Sequence, residues 1–220
     1  MIRNLLSRLK ISPRVVPATE PLNHHVSYDL KRGSCYLLKE PKAEFSFDIF
    51  VSLVKGRCQD CDHQEAFPCE SIGCKSCALP CTCKGCNHAR AQGLCFTMHS
   101  PLEIRLKYAL QTTPIFWISN HGPESISPMD LELIADIINK FLKQSKNPVI
   151  LLDGIEHLIF ENGSAPVLRF LRDVGEWMVL QNAILILPIN PMALEEKELA
   201  LMERNMTDLE PRPLKILSNS

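Results

Sequence analysis

The sequence predicts an α/β protein: a mostly parallel, five-stranded sheet with helices on both faces, plus a small metal-stabilised insert. Three observations lead there. Short apolar runs of strand length alternate with stretches whose apolar residues recur at helical spacing. Two of the runs, PVILLD (Pro148 to Asp153) and NAILILPI (Asn182 to Ile189), are apolar nearly throughout, as parallel strands covered on both faces are. Eight of the ten cysteines crowd between Cys58 and Cys86 and interrupt the alternation once.

Met1 to Lys10 reads as a short basic amphipathic helix, with Ile2, Leu5, Leu6 and Leu9 on one face and Arg3, Arg8 and Lys10 supplying charge; Pro13 ends it. Residues 1–14 thus form an arm suited to docking on its own domain, on a partner or on a membrane surface, although it has no Trp or Phe anchor. Residues 15–33, with Pro17 and Pro21, form a linker. The α/β domain takes residues 34–56 and 92–206, around an insert at 57–91. Its first strand is Ser34 to Glu40, closed by Pro41. The first helix, Ala43 to Lys55, presents Phe45, Ile49, Phe50, Leu53 and Val54 as a packing stripe, and Gly56 stops it. Gly93 to His99 is the second strand. Ser100 starts the next helix, with Pro101 at its first position and Glu103 closing a capping box, and the helix runs to about Leu110. Pro114 to Ser119 is the third strand. Ser127-Pro128-Met129-Asp130 opens a long helix by the same logic, to about Gln144. The fourth strand is Pro148 to Asp153, followed by a helix from about Ala165 to Leu180. The fifth strand is Asn182 to Ile189, followed by a helix from about Pro191 to Met206. Residues 207–220, with Pro211 and Pro213, form a loose tail.

The insert holds Cys58, Cys61, Cys69, Cys74, Cys77, Cys81, Cys83 and Cys86, with His63 inside and His88 just past its end. Three C-x-x-C pairs (58/61, 74/77, 83/86) and one C-x-C (81/83) aim thiolates at a soft tetrahedral cation at about 2.3 Å, which suits Zn²⁺. Eight thiolates suffice for two four-ligand sites or one binuclear cluster. Phe67, Ile72 and Leu79 are nearly its only large apolar residues, so metal would supply its folding free energy. Closed sites that use every thiolate leave no open position, so the zinc is expected to be structural. Disulfides are the rival use of the thiols, and iron–sulfur ligation a lesser one. The insert joins the end of a helix to the start of a strand, so it hangs from the sheet edge opposite the ligand edge.

Net charge is −1 with no long charge run, which argues against broad electrostatic binding to nucleic acid. No run of about 18 apolar residues occurs, so no transmembrane span is expected. The N-terminus lacks a secretion signal, so a reducing cytoplasm is expected.

In such a sheet ligands bind beyond the carboxyl ends of the strands. Five places fall at that edge: 39–42, 98–100, 119–124, 153–156 and 189–191. The first strand–helix turn, Leu38 to Ser46, has no glycine for close approach to a phosphate. Glu40 and Glu44 would repel one, and Lys42 and Ser46 are not at phosphate-loop spacing. Asp153 stands where a Walker B aspartate would hold Mg²⁺, although strand-end aspartates also cap turns, and Gly154 favours a turn. His99 ends the second strand, where a base could sit. Cys35 and Cys95 read as buried core thiols. No Ser/His/Asp or Cys/His set is visible, and no catalytic residue is assigned.

The segments GSCYLLKEP, GLCFTMHSPLEIRLKY, TTPIFWIS, PVILLDGIEHLI and PINPMALEEKELALMER, over residues 33–206, resemble the archaeal domain-of-unknown-function family 835. The resemblance implies a KaiC-like, RecA-type core that has lost its phosphate loop. It also implies a regulatory role, since the family is often attached to sensory and signal-transduction modules. It brings no catalytic residues, and the cysteine insert departs from the family pattern. The expectation is a non-catalytic regulatory or adaptor protein that binds a protein partner in signal transduction. Alternatives are a nucleic-acid- or ribosome-associated protein, or a weak nucleotide binder using Asp153. Within the insert and its flanks Arg57, Lys75, Lys84 and Arg90 are balanced by Asp60, Asp62, Glu65 and Glu70, which favours protein over phosphate as the contact.

Overall fold

A computed structural model describes residues 30–55, 91–122 and 125–210. The N-terminal arm, the linker up to residue 29, Gly56, the insert up to residue 90 with all eight of its cysteines, and residues 211–220 lie outside them. Among the described residues the order is β1 Ser34–Lys39, α1 Glu44–Lys55, β2 Gln92–Thr97, α2 Pro101–Tyr108, β3 Ile115–Ile118, β4 Ser125–Ile126, α3 Leu131–Gln144, β5 Pro148–Leu152, α4 Ile155–Asn162, α5 Ser164–Leu180, β6 Ile184–Ile189, α6 Glu196–Glu203 and β7 Thr207–Asp208. The strands form one sheet in the order β4-β3-β2-β5-β6-β1-β7, and every neighbouring pair is parallel.

The apolar runs are explained by burial on both faces. Side chains alternate across a strand, so Ile150 and Leu152 join one core with Phe96, Leu185 and Leu187, beneath α3 and α5. Val149 and Leu151 join the other with Cys95, Ile184 and Ile186, beneath α1 and α2. Gly93 lets α1 lie on β2, because a methyl group there would sit 2.5 Å from Val54 Cγ2 and 2.8 Å from Phe50 Cζ.

Several expectations are corrected. Among the described residues the sheet has seven strands, not five. β4 and β7 are two-residue edges, too short to show a period-two pattern. The tail is not loose at its start: Thr207 and Asp208 pair with Tyr36 and Leu37. Leu209 N donates to Leu37 O at 2.9 Å, and Lys39 Nζ bridges Glu203 at 2.5 Å and Asp208 at 2.6 Å. Ser100 and Glu103 make no capping box, and Ser100 caps nothing with its side chain. The box forms instead between Glu195 and Glu198 at α6. Asp130, not Ser127, caps α3, accepting from Leu133 N at 3.0 Å. The helix expected from Ala165 is preceded by α4, which Gly163 separates from α5. The last helix is a short 3-10 turn at Pro191–Ala193, followed by α6. In α1, Phe47 is buried beside Ile49 and Phe50, whereas Phe45, Leu53 and Val54 are only partly covered. Cys95 is a buried thiol as expected, but Cys35 is only partly buried.

Parallel strands bring the carboxyl ends of β1, β2, β5 and β6 to one edge. The helix end at Lys55 and the strand start at Gln92, between which the insert runs, belong to the opposite edge.

Candidate functional site

Four strand ends and α2 enclose a cleft of about 540 Å³ at the carboxyl edge. That size is typical of small-ligand sites. At its base, Glu40 N donates to Ile189 O at 2.9 Å, which extends the β1–β6 ladder by one residue and places Glu40 at the edge. Its side chain then turns under the start of α1. It accepts hydrogen bonds from Phe45 N at 2.9 Å, from Ser46 N at 3.0 Å and from the Ser46 hydroxyl. The first N–H groups of a helix lack partners within the helix and carry the positive end of its dipole, which is why phosphates bind there. Here a buried carboxylate, 8% exposed, occupies that position. Burial pushes the Glu40 carboxyl up, and the three hydrogen bonds oppose that.

Asp153 follows β5. Its backbone N–H donates to Phe96 O at 2.9 Å, locking it to the end of β2. The fully buried Thr97 hydroxyl donates to Asp153 Oδ2 at 2.7 Å and accepts from His99 N at 3.1 Å. Burial raises the Asp153 carboxyl, while Thr97, nearby His99 and the Met98 N–H favour its charge. Gly154 then turns the chain into α4 at φ +106°, and a methyl group there would meet Met98 Cγ at 2.6 Å. The turn expected at Gly154 is therefore present, and the Asp153 carboxylate stays on the cleft wall. Glu156, one turn on, accepts from Asn190 N and ties α4 to the end of β6.

α2 forms the facing wall through Glu103, Ile104, Lys107 and Tyr108. Tyr108 stacks on Phe47 of α1, with ring centroids 4.9 Å apart and planes 8° apart. Lys107 Nζ lies 5.1 Å from the Tyr108 ring centroid and 3.8 Å from Glu44 Oε1. The pair is solvent-exposed, so it contributes little stability. Burial raises the Tyr108 hydroxyl, and Asp48, Glu44, Glu40 and Asp153 add to the effect. Among the described residues the cleft lining holds five carboxylates (Glu40, Glu44, Glu103, Asp153, Glu156) against two lysines, Lys42 and Lys107. That surplus opposes a triphosphate.

Of the five places assigned to the carboxyl edge, four line the cleft, and of the fifth the described residues 119–122 do not. Glu40, Lys42, Glu44, His99 and Asp153 come together there. Ser46 does not line it, its hydroxyl being spent on Glu40. Cys95 is buried in the core and Cys35 lines a different groove. The contributions of α2 and of Thr97 were missed. The i, i+4 pairs Glu103/Lys107 and Ile104/Tyr108 hinted at a two-sided helix, but nothing in the sequence said that it folds back over the first turn. Among the described residues no group of three or more His, Cys, Asp or Glu side chains could hold a metal ion. Nor is any helix there long and apolar enough to cross a membrane.

A family described as "Protein of unknown function (DUF835)" matches residues 84–206. No functionally curated protein matches the chain. A solved structure from Pyrococcus horikoshii OT3, described only as a structural study, is similar at 13% identity and a TM-score of 0.48, over 82% of this chain and 83% of that one.

Proposed function

The chain belongs to the DUF835 family of proteins of unknown function, and on that premise we propose that it is a non-catalytic regulatory or adaptor protein that binds a protein partner in signal transduction. We read its core as a degenerate KaiC-like, RecA-type scaffold and its cysteine segment as a structural zinc module in a cytoplasmic protein. One observation carries the reading: the amino end of α1, where a nucleotide phosphate would sit, is filled by the protein's own Glu40. A carboxylate tethered there competes with any phosphate at very high effective concentration. The acidic lining of the cleft adds repulsion. The ends between which the cysteine segment runs, Lys55 and Gln92, lie at the edge away from the cleft, which supports separate roles for the segment and the cleft.

A specific observation favours a second reading, a weak nucleotide binder. Asp153, Lys42 and His99 face one cleft, beside the stacked Phe47 and Tyr108 rings. Calorimetric titration with Mg²⁺ and ATP separates the two. No binding is expected; tight binding that Asp153→Ala abolishes would overturn the adaptor reading. Metal analysis of anaerobically purified protein tests the module, with zinc expected and its absence decisive against it. Cys74→Ser with Cys77→Ser should lower zinc content and leave the melting of the α/β core unchanged.

A further inference from the structure

A second groove, of about 430 Å³, lies away from the cleft between α5 and α6, beside the amino half of β1. Leu168, Leu171 and Val179 of α5 form one wall and Leu201 and Met206 the other. Val179 is 65% exposed and Leu201 39%. The groove is open at the sheet edge for a structural reason. β7 pairs with β1 only at Tyr36 and Leu37, so among the described residues no strand covers Ser34 and Cys35 on that side. The Cys35 side chain, partly buried, lines the groove near Gly175.

The chain itself supplies a matching segment. The described residues begin at Leu30, three positions before Gly33, which lines the groove. Met1 to Lys10 carries Ile2, Leu5, Leu6 and Leu9 at i, i+3, i+4 and i+7, the anchor spacing of a helix laid in an apolar groove. Nineteen residues, 11–29, separate that segment from Leu30, and a flexible chain of that length would reach on the order of 25 Å, for an effective concentration in the millimolar range. Glu176, beside Arg172 in the groove lining, offers one carboxylate to Arg3, Arg8 or Lys10.

We propose that Met1 to Lys10 docks as an amphipathic helix in the groove between α5 and α6 of its own chain and covers Cys35. The test uses the full chain and measures iodoacetamide alkylation of Cys35 by peptide mass spectrometry, with buried Cys95 as the control for an intact core. Leu5→Glu with Leu6→Glu is expected to speed Cys35 alkylation about tenfold, as a tethered contact of modest affinity is released, with Cys95 unreacted. An unchanged Cys35 rate overturns the proposal. Leu201→Glu, on the exposed rim, provides the reciprocal test: trypsin should cleave after Arg8 and Lys10 faster than in the wild type, and equal cleavage overturns the proposal. Protection of Cys35 should not change on dilution; protection that fades with dilution means that a second copy's segment fills the groove, and overturns the intramolecular contact.

Discussion

Glu40→Ala removes the carboxylate from the start of α1. Three donors then lose their acceptor: Phe45 N, Ser46 N and the Ser46 hydroxyl. Losing a capping acceptor costs about 0.5–2 kcal/mol, and leaving a buried donor unpaired about 1–3 kcal/mol. Part is returned, because burial raises the Glu40 carboxyl and its charged form is therefore partly penalised in the fold. A net loss of about 2 kcal/mol is expected, with about half of that for Glu40→Gln, which keeps one acceptor oxygen. Urea unfolding at unchanged m measures it. A second readout isolates the mechanism. In Glu40→Ala the vacated helix start should take inorganic phosphate, which would stabilise the variant by about 1.4 kcal/mol at tenfold excess over its Kd. The wild type should gain less from the same phosphate series. A variant as stable as the wild type, or a wild type that gains equally from phosphate, would refute the claim that Glu40 occupies an anion site.

Asp153→Asn tests the buried carboxylate by pH. Burial holds the folded Asp153 carboxyl above its ordinary 3.8, so the folded state binds more protons than the unfolded chain above that value. Wild-type stability relative to the variant should therefore fall as pH rises from 3.8 through the folded value and then level off; a pH-independent difference contradicts this. Thr97→Val removes the hydroxyl shared by Asp153 and the His99 N–H and should cost about 2 kcal/mol in chemical unfolding. Gly93→Ala forces a methyl group against Val54 and Phe50 and should cost about 1–3 kcal/mol. A neutral Gly93 variant would mean that the end of α1 shifts freely on β2.

Much of the fold was legible because its signals are local. PVILLD and the apolar part of NAILILPI are strands β5 and β6, and their uninterrupted apolar character reports helices on both faces. The Leu131–Gln144 helix is likewise readable from its apolar period, with Ile134, Ile138 and Leu142 buried. The edge strands were not legible, since two residues carry no period and pair only because β1 and β3 expose unpaired backbone beside them. Capping was misassigned where composition alone had to choose, because Ser100 and Asp130 look equally capable until the backbone aims one of them at a free N–H.

Residue types and their spacing along the chain suffice for the class of the fold, for the edge at which the cleft opens and for the lack of a glycine phosphate loop. What stands in that loop's place depends on contacts that form only in the folded chain. Whether Glu40 repels a ligand from the surface or is itself bound under α1 depends on where its side chain turns. The folding of α2 over that turn depends on packing of Tyr108 against Phe47, residues 61 positions apart, for which local patterning carries no signal.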